Sequence, residues 1–185
     1  MADTRKAPFP FNPYDHLPEV ETFNLVSTDV TDGQTVPARF TSKAFGMPGG
    51  EDLSPQLSWS GFPAGTKSFA VTCYDPDAPT ASGFWHWAVA DIPVGVTELA
   101  TGAGTAGSSD MPGSAVVLGN SAGFSGYVGC GPPAGHGAHR YFFVVHAVDI
   151  ESLGIDSSTT PTVLGFNLFF HTLARAYLVP TFEVV

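Results

Sequence analysis

Apolar and polar positions alternate in short runs along most of this chain. Clusters of Gly, Pro, Asp and Ser separate the runs. Phe23–Ser27 (FNLVS) alternates and predicts a first strand. Turn residues fill Asp29–Gly33, and Thr35–Phe40 reads as a second strand. Gly46–Pro55 is a loop and Gln56–Ser60 a short strand. Ser68–Tyr74 gives the clearest pattern: Phe69, Val71 and Cys73 share one face, and Ala70, Thr72 and Tyr74 the other. Neither face is strongly polar, which predicts a central strand covered on both sides. His86–Ile92 and Arg140–Val148 have the same character. His139, Tyr141 and Phe143 fall on one face of the latter by period two. Ala115–Leu118 and Thr181–Val185 read as further short strands. Thr101–Gly113, small and polar throughout, is expected to be a flexible loop. Only Thr160–Leu178 predicts a helix. Thr160 caps it, Pro161 suits the first helical position, and Pro180 stops it. Val163, Phe166, Phe170, Leu173 and Tyr177 recur at steps of three and four, an apolar stripe for the sheet or for a partner subunit.

Composition agrees with many short strands in one folded unit. The 185 residues suit one core, and 43% hydrophobic against 13% charged is too apolar for a disordered chain. Gly (21), Pro (16) and Phe (15) supply the turns and strands that the pattern asks for. The Pro-rich start, residues 1–22, is expected to be an N-terminal arm, with a single domain over 23–185. It shows no signal-peptide pattern, and no apolar run approaches a membrane span. Cys73 and Cys130 lack metal or redox spacing and are expected to be reduced thiols in a cytoplasmic protein. The net charge of −10, from 17 acids and 7 bases, offers no basic stripe for nucleic acid. Any bound anion must be held by local donors.

Two familiar motifs are present without their context. Gly119-Asn120-Ser121-Ala122-Gly123 matches the nucleophile elbow, and Gly102–Gly107 matches a dinucleotide-binding turn. Each needs a helix directly after it. The downstream residues are Gly- and Pro-rich in one case and SSDMPG in the other.

Two other segments match each other in build. Asp75-Pro76-Asp77-Ala78-Pro79 ends one strand, and GFWHW opens the next at His86. Gly131-Pro132-Pro133, then His136 and His139, precede another strand. If the turns meet, carboxylates and imidazoles line one pocket. A transition metal is one candidate occupant, but no HxH or HxxxH spacing exists, and neither metal nor cofactor is expected. A small anion is the other, held by imidazole N–H groups and turn amides.

At these residues the chain resembles the phosphatidylethanolamine-binding, or Raf-kinase-inhibitor-like, protein family. DPDAP, GFWHW, GPP and GHGAHRYFF occur in order, and GEDLSPQLSWSGFPAGTKSF and NSAGFSGYVG are similar to its bacterial branch. The resemblance implies a mainly β fold: a large antiparallel sheet, a smaller second sheet and a C-terminal α-helix. It implies an anion pocket built from Asp75, His86, Gly131, His139 and Tyr141, supported by Asp77, Pro79, Trp85, Pro132 and Pro133. The expected partner is a small phosphate-like anion or a phospholipid head group, with Asp75 orienting an imidazole and favouring its protonated form. The eukaryotic C-terminal end and a counterpart for the arm are not matched, so no kinase or other protein partner is defined. Two other readings stand beside this one. One is an acid–base hydrolase or lyase using Asp75, His86 and His139; the other is a homodimer formed through the helix stripe.

Overall fold

The structure is a computed structural model and describes residues 12–185. In chain order the strands are β1 (Glu21–Thr22), β2 (Asn24–Val26), β3 (Leu57–Ser60), β4 (Ser68–Asp75), β5 (Phe84–Pro93), β6 (Glu98–Leu99), β7 (Val116–Val117), β8 (His139–Arg140) and β9 (Phe142–Val148). The helix α1 (Pro161–His171), β10 (Thr172–Leu178) and β11 (Thr181–Phe182) complete the chain. A six-stranded sheet runs β1-β10-β9-β4-β5-β7. A three-stranded sheet, β2-β3-β6, packs across one face of it, and β11 pairs with β8. The fold is mainly β, as expected. The large sheet is mixed and not purely antiparallel, because β1 lies parallel to β10 at its edge.

Period-two patterning sorts the core. Phe69, Val71 and Cys73 of β4 join Val89, Phe143 and Val145 in the layer shared with the small sheet. Ala70, Ala88 and Ala90 face α1 with Leu164 and Leu168. β4 is therefore central and covered on both sides. β5 interrupts the alternation twice. Cys73 pairs with Trp87 but Tyr74 pairs with Trp85, so His86 is an extra residue opposite a single step of β4. The second irregularity falls near Asp91, which adopts the left-handed region at φ 56°. Its carboxylate accepts from the Ser152 hydroxyl and the Leu153 N–H.

Three expected elements differ. Thr35–Phe40 is not a strand: Pro37 starts a 3-10 turn over Ala38–Phe40, and Thr35 forms only an isolated bridge to Thr181. The helix keeps its Thr160 cap, which accepts the Val163 N–H, and Pro161. It ends at His171, seven residues early, and the remainder is β10. The ladder to β9 buries Ala174 and Ala176, and this pairing overrides the helix propensity of LARAYL. The expected stripe also faces outward. Phe166 and Phe170 are 67% and 61% exposed, whereas Pro161, Leu164 and Leu168 face the sheet.

Of the segment expected as an arm, residues 1–11 lie outside those described. The rest packs on the large sheet, with the Tyr14 ring 5.3 Å from that of Tyr177 and Glu21 opposite Ala174. The stretch 101–113 is anchored in its first half. The Gly104 N–H donates to Ser54 Oγ, Ala103 is buried, and Thr105 bridges to Tyr127. A Cβ on Gly104 would stand 2.1 Å from Trp87 Cζ2, on a fully buried ring. Gly104→Ala is therefore expected to cost about 1–3 kcal/mol, seen as a lower denaturant midpoint with an unchanged slope. A wild-type midpoint would show that this half of the loop gives way freely.

Candidate functional site

The two segments singled out in the sequence meet at the end of the large sheet. Asp75 closes β4, and its carboxylate is 3% exposed. Its Oδ1 accepts the Asp77 N–H at 2.8 Å, an Asx turn that shapes the DPD corner. Its Oδ2 accepts from His139 Nδ1, the first residue of β8, at 2.7 Å. Asp77 makes a second tie. Arg140 donates from Nε to Oδ2 and from Nη2 to Oδ1, both at 2.8 Å, and its backbone N–H also reaches Oδ2. Such a fork is the strong, geometrically specific form of ion pair. Two aspartates, two residues apart, thus grip two consecutive residues of β8.

His86 stands 4.0 Å from Asp75, too far for a hydrogen bond. Its Nδ1 donates to the Val128 carbonyl at 2.8 Å. A carbonyl only accepts, so Nδ1 carries the proton and Nε2 of the neutral ring is bare. The ring packs against Phe84 and edge-on against Tyr141. His139 is committed at both nitrogens, since Nε2 lies 2.8 Å from His136 Nδ1. In the neutral state His136 donates to His139, which donates to Asp75. His139 is thus held by protein on both sides, contrary to the expectation that both imidazoles offer an N–H to the ligand.

A cavity of about 240 Å3 opens above these groups. Asp75, His86 and His139 form its polar part, and Pro79, Gly131, Pro132 and Pro133 line it as expected. Phe45 and Phe84 add apolar walls that sequence reasoning missed. Gly131 is required by contact: a Cβ there would stand 2.8 Å from Phe45 Cδ2. Tyr141 is fully buried behind His86, and its hydroxyl has no hydrogen-bond partner. Trp85 belongs elsewhere. The extra residue at His86 turns it to the helix side of the sheet, where its ring lies tilted against Tyr74 with centroids 4.4 Å apart.

Asp52 was also missed. It sits in the left-handed region at φ 54°, and its carboxylate accepts the N–H groups of Gly129 and Ala44. It pins the glycine segment to the loop that carries Phe45. The only sequence cue is the acid of GGEDLSP, which no spacing rule marks. Ser121 of the elbow-like motif accepts the Trp85 N–H in a turn, and its cleft has no histidine or acid in its lining. Among the described residues no cluster of His, Cys, Asp and Glu could hold a metal ion.

The family profile described as "Phosphatidylethanolamine-binding protein" matches residues 26–183. The chain belongs to the phosphatidylethanolamine-binding protein family. It is 44% identical over 159 residues to UPF0098 protein YbhB of Escherichia coli, covering 86% of this chain and 99% of that one. To UPF0098 protein YbcL of the same organism it is 40% identical, covering 90% of each chain. The crystal structure of YbcL, titled a new member of the mammalian PEBP family, superposes with a TM-score of 0.85. That comparison covers 88% of this chain and 99% of YbcL. The resemblance stated from the DPDAP, GFWHW and HRYFF segments is therefore correct.

Burial sets the charge state of His86. Loss of solvent lowers its pKa from the ordinary 6.5. The nearby Asp75 carboxylate and the Val128 and Gly129 backbone raise it, His139 lowers it, and the net shift is downward. Asp75 therefore favours the protonated imidazole, as expected, but burial outweighs it in the unliganded protein. Imidazole 15N chemical shifts are expected to show Nδ1 protonated at neutral pH and a midpoint below 6.5. Asp75→Asn, which removes a carboxylate that supports the cation, is expected to lower the midpoint further. A wild-type midpoint at or above 6.5 would contradict the dominance of burial.

Proposed function

We propose that this cavity binds a small phosphate-like anion, free or as a phosphoethanolamine-type head group, and that the protein acts as a binding or regulatory protein. One observation carries the reading. Among the imidazoles lining the cavity, His86 Nε2 is the one ring nitrogen not committed to a protein partner. It faces a concave site with rigid proline walls, where little is lost to ordering when a ligand arrives. Protonated, Nε2 donates to an anionic oxygen, and the Gly131 segment supplies backbone donors at close range. The apolar walls suit the carbon part of a head group. Cytoplasmic placement belongs to the same reading, with both cysteines free and buried. Among the described residues no helix is long and apolar enough to cross a membrane.

The pH dependence comes from the lowered pKa. Binding requires the imidazolium, so a proton is taken up with the anion. Affinity is present at acid pH and declines as pH rises through the window above the free-protein pKa, by up to about tenfold per pH unit for one linked proton. Calorimetry with sulfate, whose charge is constant across this range, separates this from titration of the ligand. Phosphate and phosphoethanolamine are then compared at fixed pH. Weaker sulfate binding at pH 8 than at pH 5 is expected, with loss of binding in His86→Ala and no change in Ser121→Ala. Equal affinity at both pH values, or a His86→Ala protein that binds as well as wild type, would refute the proposal.

The linked chain from His136 through His139 to Asp75 favours acid–base chemistry as a second reading, since it could pass a proton. Turnover of phosphomonoesters or acyl esters by the purified protein, abolished in Asp75→Asn, would support it over simple binding. Self-association through the outward Phe166 and Phe170 is a further proposal, which sedimentation of Phe166→Ser against wild type decides.

A further inference from the structure

A second cavity, of about 250 Å3, lies across the large sheet from Asp75, beneath α1. Its floor is Thr72 and Tyr74 of β4, His146 of β9 and Arg175 of β10. Gly165, Leu168 and Phe169 line it from α1, at spacings that put them on one helical face. Tyr14 closes one side, its ring 6.3 Å from that of His146.

Arg175 is the unusual group. It is 4% exposed and sits directly across from His146 in the β10–β9 ladder. Its Nη1 donates to the Pro18 carbonyl at 3.1 Å. Its Nε–H is buried with no hydrogen-bond partner. No acid lines the cavity, and Arg175 forms no salt bridge among the described residues. Asp15, Glu19 and Glu21 line a different cavity that Arg175 also borders, but none is within ion-pair distance of it, and a buried guanidinium without a contact ion pair is costly. His146 adds no charge: burial and the neighbouring Arg175 push its pKa down to about 3. The cavity therefore holds one cation in a protein of net charge −10. Its other lining groups are mainly aromatic or aliphatic, with Trp85 and Leu168 among them.

We propose that this cavity is a second ligand site, taking a small monocarboxylate with a compact apolar body. The guanidinium fork matches a carboxylate in shape, and one negative charge neutralises one buried positive charge. A dianion would leave excess charge among apolar walls. The volume, about 250 Å3, lies just below the usual range of ligand pockets, which limits the ligand to about ten non-hydrogen atoms. The site is separate from the His86 cavity and is independent of what binds there.

Two-dimensional amide NMR of the full chain, titrated with phenylacetate and with phenylacetamide, tests this. Phenylacetate is expected to shift β10, β9 and α1 resonances saturably, with the amide at least about tenfold weaker for want of the charge. Arg175→Met keeps the stem and removes the charge, and is expected to abolish the difference between acid and amide. Gly165→Leu leaves Arg175 in place. A Cβ at Gly165 meets nothing within 4 Å, so the added side chain enters open space and is expected to block both compounds. Because its Cβ meets no neighbour, this variant keeps the test decisive if Arg175→Met fails to fold. No saturable shifts in wild type, equal binding of acid and amide, shifts confined to the His86 cavity, or undiminished binding in Gly165→Leu would each overturn the proposal.

Discussion

The buried Asp75 carboxylate is the interaction on which the rest of the site depends. A carboxylate 3% exposed is tolerated only when its oxygens are satisfied, and both are, by the Asp77 N–H and by His139 Nδ1. Those two bonds set the local architecture. One fixes the corner that leaves β4, and the other draws in β8 from 64 residues away in sequence. The Asp77–Arg140 fork, one residue along β8, prevents it from sliding. Removing a partner that satisfies the buried Asp75 carboxylate leaves that charge uncompensated, at a cost of about 3–5 kcal/mol. The DPD corner and the HRY strand therefore behave as one unit, and the cavity walls hang from it.

The extra residue in β5 matters equally. Without it, Trp85 and Trp87 would point to the same side of the sheet. With it, Trp87 enters the inner core and Trp85 crosses to pack against Tyr74. The sheet then presents different chemistry on its two sides. The inner end carries Asp75, His86 and His139 with their carboxylate. The helix side carries Arg175 and a neutral His146 in a cavity whose lining holds no acid. Both cavities are small and mainly apolar, yet the imidazole site gains a positive charge only by taking up a proton, whereas the guanidinium carries one at all times.

Much of this was legible in the residues. Alternation located β4, β5 and β9, and the DPDAP, GFWHW and HRYFF segments named the family and the two stretches that meet at the cavity. The misses had physical causes. LARAYL supports a helix by propensity, and only the vacant edge of β9 makes it a strand; the alternation of Ala174 and Ala176 with Arg175 and Tyr177 is the weak cue. Trp85 was expected to support the pocket from the family resemblance, but the irregularity in β5, which no single residue announces, turns it to the helix side. His139 was expected to face the ligand, but its second nitrogen goes to His136, a pairing set by tertiary geometry. Asp52 acts from a loop 77 residues before Gly129, which no local pattern connects.

The central claim is that His86, held by Val128 and 4.0 Å from Asp75, is the group that meets an anion. A crystal structure soaked with phosphoethanolamine at pH 5 tests it most directly. The phosphoryl group is expected within hydrogen-bond distance of His86 Nε2 and beside Gly131, with the His136–His139–Asp75 chain unchanged. An anion seated on His139 in place of His136, or a cavity that stays empty of phosphate, would contradict the account.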